Sequence, residues 1–327
     1  MSPGRARGIA FAILGGLTLL AGQGAAQDWP TQPVKITVPA PAGGGTADTI
    51  ARILADELDR RLGQRFLVDN KPGANGNVGA TIAARTAPDG TNFLFSWAGT
   101  LATNMTLYKN LQYHSQRDFD PVILIGNVPN ILVVNKGLGP KTFKEFDAFA
   151  RANPGKINYA STGNGSSMHL SAELYSTKHG ASMTHVPYNS PGQATTELIN
   201  GQIQAMFQLV TGIAPHVKSG NVQAIALLSD KRAPALPDVP TAAEAGYPGL
   251  EFGTWFGLLA PKGTPAHAIR KLNATVNEVL KDAGARQKFE ANGLDILGGA
   301  PDRLAKQIAD EIVRHAAIIE AAKIKID

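Results

Sequence analysis

The sequence predicts an α/β protein of two domains, the second inserted into the first. Three observations carry this. Short β-rich runs alternate with amphipathic segments along most of the chain, the rhythm of parallel sheets covered by helices. Without an export leader at residues 1–26, 301 of the 327 residues remain, enough for two domains of about 100–200 residues. Two loops rich in glycine and hydroxyl side chains, Pro39–Asp48 and Ser161–Ser167, each separate an apolar strand from a helix. Such loops aim unpaired backbone N–H groups, reinforced by the helix dipole, at one spot.

The leader has Arg5 and Arg7, an apolar stretch from Ile9 to Ala21, and small residues at Gly24-Ala25-Ala26, so cleavage is expected after Ala26. The stretch is short for a span of about 20 residues, and glycines interrupt it. Val34–Val38 is the first expected strand, followed by the first glycine loop. Ile50, Ile53, Leu54, Leu58 and Leu62 recur at helical spacing over 49–62, with Asp48 at the N-cap position. Strands at 66–68 and 93–95 flank a turn-rich segment, 70–77, and a helix over 80–85. The segment 120–135 is strand-like but interrupted by Gly126 and Pro129, as expected where a strand passes between sheets. Helices follow at 143–152, 168–178 and 194–200, and strands at 157–160, 184–188, 203–207 and 222–228. A connecting segment rich in Pro, Ala and Gly covers 234–249. A strand at 256–260 and helices over 265–282 and 301–322 complete the chain. The expected division is 27–125 with 229–327 as the first domain and 126–228 as the second.

Composition narrows the function. No cysteine is present, which excludes thiol catalysis, disulfides and a lipid-modified cysteine. The net charge is +5, or +3 without the leader, and Lys and Arg are scattered among acids. Nucleic-acid binding would need a basic stripe. Neither a His-Glu-x-x-His pair nor an Asp-rich calcium loop occurs, so no metal and no cofactor are expected. Gly163-x-Gly165 lacks the third glycine of a dinucleotide fingerprint, and no Gly-Lys-Ser/Thr run exists. Ser166 in Gly-Asn-Gly-Ser-Ser has a glycine before it but none after it where a nucleophile elbow needs one. A secreted serine hydrolase or transferase remains the alternative to a binding protein.

Several stretches match one family in order: Pro-x-Pro-Ala-Gly-Gly at 39–44, Asn-Lys-Pro-Gly-Ala-Asn-Gly-Asn-Val-Gly-Ala at 70–80, Ala-Pro-Asp-Gly at 87–90, Asn-Pro-Gly-Lys-Ile-Asn-Tyr-Ala-Ser at 153–161, His-Val-Pro-Tyr at 185–188, and Leu-Pro-Asp-Val-Pro-Thr-Ala-Ala-Glu-Ala-Gly at 236–246. The chain resembles the periplasmic solute-binding proteins of tripartite tricarboxylate transporters, the Bug/TctC family. The resemblance implies a type II periplasmic-binding-protein fold, a Venus flytrap of two α/β domains joined by crossing strands. It also implies capture of a small mono- or dicarboxylate, delivery to the permease subunits of a membrane transporter or an orphan sensing role, and action as a periplasmic monomer. By position, Gly44, Gly45, Thr46, Ala47 and Asp48 would form one jaw, and Ser161, Thr162, Gly165, Ser166 and Ser167 the other. Some positions depart from the family pattern. Ala40 stands where an aromatic residue is frequent, Gln208 where an Asp is common, and Asn189 where a Lys is frequent. Gly45, Thr46 and Ala47 lengthen the usual spacing from the glycine pair to the Asp.

The bland readings compete residue by residue. Asp48 is expected to cap and shape its loop more than to touch an anion. One of Ser166 and Ser167 is expected to cap the following helix, the other to face the cleft. Thr100, Asn104, Tyr188 and Asn189 follow or end strands and join the candidate list, as does Gln208 at the position the resemblance singles out. His169 and His185 are expected to be structural, and Trp97 a wall or core residue.

Overall fold

The computed structural model describes residues 1, 29–43, 45–188 and 190–325. The leader beyond Met1, Gly44 and Asn189 lie outside them. The first lobe contains parallel strands β1 (Val34–Val38), β2 (Phe66–Asn70) and β3 (Asn92–Trp97) in the order β2-β1-β3. Helix α1 (Thr46–Leu62) and helix α2 (Asn77–Ala84) connect them. Of the predicted α1 stripe, Ile50, Leu54 and Leu58 are fully buried.

The sheet is mixed. Strand β4 (Phe119–Val134) and strand β9 (Gly253–Pro261) run antiparallel to each other, and β9 runs antiparallel to β3. The expected interruption of β4 is absent. Shifts in register near Val122 and Ile125 absorb the irregularity as bulges, and Gly126 allows close approach to Asp295 and Leu294. Pro129 is the last β4 residue in register with β9, so its missing N–H falls where the strand changes partner.

From Asn130 onward β4 belongs to the second sheet. There it pairs antiparallel with β7 (Ala205–Leu209) and β8 (Gln223–Leu228). Strands β5 (Asn158–Ser161) and β6 (Thr184–Pro187) extend that sheet in parallel beyond β7. Helices α4 (Phe143–Ala152), α5 (Ser167–His179), α6 (Pro191–Ile199) and α7 (Val210–Lys218) cover it. Residues 229–252 run back along β8: Leu227 N–H donates to the Pro240 carbonyl and Phe252 N–H to the Leu228 carbonyl. Strand β4 carries the outward crossing, and the chain returns along β8 through Phe252 to enter the first sheet as β9 at Gly253.

Short helix α3 (Asn104–Leu107) follows a wide helical turn over Gly99–Thr103. Helices α8 (Ala266–Lys281) and α9 (Ala283–Ala291) and strand β10 (Asp295–Ile296) return to the first lobe. Helix α10 (Pro301–Ala321) buries Leu304 and Ile308 against Phe119, Leu124 and Trp255. Further along, its Ile318 and Ile319 join the Phe143–Tyr175 core of the second lobe.

Three departures from expectation bear on the site. Helix α1 starts three residues early, and its N-cap is Gly45 (φ +82°), not Asp48. Gly45 can turn the chain there because it has no Cβ. Asp48 lies inside the first turn and reaches back to accept the Gly43 N–H at 2.8 Å. Helix α7 was not expected, because Gly212 and Pro215 lower its propensity; burial of Val210, Ile213 and Ala214 overrides that. Helix α9 was missed although its cap was visible, since the Asp282 carboxylate accepts the Ala285 N–H at 2.9 Å.

Candidate functional site

A cleft of about 620 Å³ lies between the lobes, over the crossing strands. Gly45, Thr46 and Ala47 line it from α1, and Thr162, Ser166, Ser167 and Met168 from the second glycine loop and α5. Pro191 and Gly192 open α6 into the same wall, and Leu209, Thr211 and Gly212 open α7 there. Gly76, the N-cap of α2, also borders it. Helix starts are thus gathered here from both lobes. The first backbone N–H groups of a helix have no partner inside it, and its N-terminus carries about half a positive charge. Helices α1, α6 and α7 have no side-chain cap to use those groups. Among the described lining residues none is Asp, Glu, Lys or Arg. Trp97, Phe256, Pro39, Pro41, Pro72 and Met168 supply apolar wall.

The first loop is held from behind. Besides Gly43, the buried Asp48 carboxylate accepts from Asn70 Nδ2 at 2.8 Å and Arg52 Nε at 2.9 Å. Burial would raise its pKa, but these partners together hold it below the usual range. Asp48 therefore fixes the loop without lining the cleft, and its charge is matched by Arg52.

The second loop rests on two stacked imidazoles, His169 and His185, with ring centroids 3.9 Å apart. Ser161 Oγ is hydrogen-bonded to His185 Nε2 at 2.6 Å, and the Gly165 N–H donates to His169 Nδ1 at 3.2 Å. Ser161 and Gly165 lie behind the cleft wall, not in it. Ser166 caps α5 by accepting the His169 N–H, at 3.3 Å. Ser167 Oγ accepts from Thr254 Oγ1 at 2.9 Å, which leaves its own proton to donate. Both serines line the cleft.

Burial pushes His169 down to about 3, helped by its neighbour His185, and burial alone pushes His185 down to about 4. A base whose folded pKa is depressed costs nothing above its unfolded pKa of about 6.5, where both states are neutral. Below that the unfolded chain takes up protons that the folded one refuses. Stability should therefore fall as pH drops from about 6.5 towards 4 and level off once the folded pair protonates. Urea denaturation across this range tests it. His185→Gln should flatten the profile; an unchanged slope would show that other groups set it.

Thr100 and Asn104 are fully buried and do not line the cleft. They anchor a loop that the sequence reading treated only as a turn and family motif. Thr100 Oγ1 donates to the Asn75 carbonyl at 3.1 Å, and Asn104 Nδ2 donates to the same carbonyl at 3.0 Å. Residues Gly73 to Gly76 all have positive φ, Ala74 and Asn75 included. Strained backbone of this kind clusters at ligand clamps, and all four residues line the cleft. Tyr188 does not line it, whereas Gln208 does. The starts of α6 and α7 and the 73–76 loop are the contributors not singled out in sequence. Only the density of Asn, Pro and Gly over 70–77 could have flagged any of them.

Thr254 and Phe256 on β9 face this cleft, whereas Gly253 and Trp255 line a second cavity of about 580 Å³. Strand alternation puts that cavity on the opposite face of the crossing strands. Three of its five lining acids are paired with cations, as Lys231–Asp295, Arg286–Glu290 and Arg314–Glu311.

The tripartite tricarboxylate transporter family receptor model, TctC, matches residues 50–324. The chain belongs to this family. It is 36% identical to Protein BugT of Bordetella pertussis, over 97% of this chain and 98% of that protein. R. palustris Rpa4515, solved with adipate, is 35% identical with a TM-score of 0.83, covering 91% of this chain and 99% of that one. MatC of Rhodopseudomonas palustris, solved with bound malate, is 34% identical with a TM-score of 0.78, covering 89% and 100%. TctC/Bug proteins are periplasmic solute-binding proteins, and this chain shares the two-lobed α/β architecture of the solved ones. Among its described residues no helix is long and apolar enough to cross a membrane.

In this receptor Thr46 Oγ1 and Thr211 Oγ1 meet across the cleft at 3.3 Å. Thr46→Ala and Ser167→Ala should each weaken ligand binding by about 1–2 kcal/mol with the fold intact. Equal affinity in both variants, measured by calorimetry, would make these loops scaffolding only.

Proposed function

We propose that this protein is an extracytoplasmic receptor that captures a small organic carboxylate between its lobes and hands it to the membrane subunits of a tripartite tricarboxylate transporter. One observation carries the reading: uncapped helix starts from both lobes open into a cleft whose described lining has no charged Asp, Glu, Lys or Arg side chain. Backbone N–H groups already fixed by the fold bind an anion without reorganisation and release it more readily than an arginine clamp. Lobe closure would turn on β4, which pairs in both sheets, and on the return segment that leads into β9 at Gly253. The site residues of this reading are Gly45, Thr46, Ala47, Thr162, Ser166, Ser167 and Gln208, joined by Gly44 and Asn189 from the sequence. The adipate and malate of the solved relatives favour a dicarboxylate. The leader at 1–26 would export the chain to the periplasm, where it would act as a monomer.

Titration calorimetry with mono- and dicarboxylates of two to eight carbons tests the proposal. Saturable binding to at least one acid is expected. Absence of binding by every acid, with folding confirmed by circular dichroism, would refute it.

A further inference from the structure

Gln208 ends β7 in the cleft wall and is 3% exposed. Its Oε1 accepts the Leu209 N–H at 2.9 Å. A backbone N–H can only donate, so this bond fixes which end of the amide faces which way. Among the described residues the Nε2 end has no hydrogen-bond partner. A buried amide donor without an acceptor is costly, and such groups call for an explanation.

Everything positioned near it asks for the same complement. The start of α7 packs on this side chain, with the Gly212 Cβ position 3.6–3.9 Å from its Cδ, Nε2 and Cγ. The helix starts in the wall are donors. Thr195 Oγ1 and Thr196 Oγ1 give their protons to Pro191 O and Gly192 O and keep lone pairs, but as neutral hydroxyls they supply no charge to balance an ammonium. Ser166 and Ser167 accept from His169 N and Thr254 Oγ1, and Gln208 Oε1 holds Leu209 N. Asp48 beneath the first loop is consumed by Gly43, Asn70 and Arg52. No carboxylate stands among the described lining residues to balance a positive charge.

We infer that this receptor takes dicarboxylates without an α-amino group, with Gln208 Nε2 donating to a ligand oxygen, and that it rejects the corresponding amino diacids. The inference rests on the carboxylate reading above and specifies its substrate class. An ammonium carried into this cleft would lose its water and meet helix dipoles of the wrong sign. Specificity here comes from what opposes the competitor as much as from what holds the ligand.

The test compares matched pairs by calorimetry: succinate with aspartate, glutarate with glutamate, adipate with 2-aminoadipate. At least one unsubstituted diacid should bind about 100-fold more tightly than its amino partner. Gln208→Glu keeps the size of the side chain and the bond to Leu209 N–H but replaces the donor with an anionic oxygen. At pH 8 it should cost the diacid about 30-fold or more and narrow or invert the preference. Gln208→Met removes both polar atoms and should weaken the diacid without helping the amino acid. Ligand-free melting curves establish that both variants are folded. If an amino diacid binds within about 5-fold of its partner, or if folded Gln208→Glu and Gln208→Met keep wild-type affinity, the inference is overturned while the carboxylate reading stands. If none of the six acids binds, the inference is overturned, and the carboxylate reading falls only if the wider panel of mono- and dicarboxylates fails as well.

Discussion

Gly212→Asp is expected to abolish carboxylate binding while leaving the protein as stable as the wild type, or more so. Gly212 sits in the first turn of α7, in the cleft wall, and does not need positive φ. The nearest atoms to a Cβ there belong to the Gln208 side chain, at ordinary contact distances of 3.6–3.9 Å. An aspartate in a first helical turn complements the dipole and is worth about 0.3–1 kcal/mol to the helix. Replacing the glycine also removes backbone freedom from the unfolded chain, a further contribution of up to about 1 kcal/mol. The same carboxylate would sit where the ligand's carboxylate has to go, within reach of the unpartnered Gln208 Nε2. It would act as a tethered ligand and repel a free one, a loss of at least about 100-fold, or about 2.7 kcal/mol. Calorimetry and thermal melts read the two effects separately. Retained binding would place the anion seat away from α7; lost stability would mean that the first turn is more crowded than it looks.

Gly76→Val should be damaging for the opposite reason. Gly76 has φ +89°, and an added Cβ would lie 2.2 Å from Thr100 Oγ1 and 3.2 Å from Pro39 Cβ. Thr100 is fully buried and holds the Asn75 carbonyl, so neither partner can give way without releasing the 73–76 loop. Backbone strain of about 1–3 kcal/mol and overpacking of similar size should lower stability by about 3–5 kcal/mol. Binding should fall by more than about 100-fold, because four cleft residues lose their position. Gly263→Ala is the control. It has φ +92° but nothing within 4 Å, and it lies outside the cleft. It should cost about 1 kcal/mol of stability and no affinity. If Gly76→Val binds normally, the loop is not a clamp.

The two variants also mark how much of the site was legible in advance. Gly45, Thr46, Ala47, Thr162, Ser166, Ser167 and Gln208 were all nominated from sequence, and the structure gathers them into one cleft. They were readable because strand, glycine loop and helix are local features. Ser161, Gly165, Thr100, Asn104, Tyr188 and Asp48 were nominated by the same logic but do not line it. Adjacency in sequence cannot distinguish a side chain that faces the ligand from one that holds the loop behind it. That depends on partners 25 to 29 residues away, as for Thr100 and Asn104 with Asn75. The helix starting at Val210 was invisible because its own propensity is poor and only burial of Val210, Ile213 and Ala214 sustains it.

The sequence by itself determined the alternation of strands and helices, the two glycine turns and the family. These follow from short-range periodicity, backbone freedom at glycine and composition. Tertiary structure alone decided that β4 stays unbroken as it passes between two sheets and that the starts of α6 and α7 join those of α1 and α5 in one cleft. It also decided that Gln208 keeps a donor without a partner among the described residues. The physical reason is that each depends on which distant groups are brought within hydrogen-bonding or van der Waals range, and no local pattern encodes that.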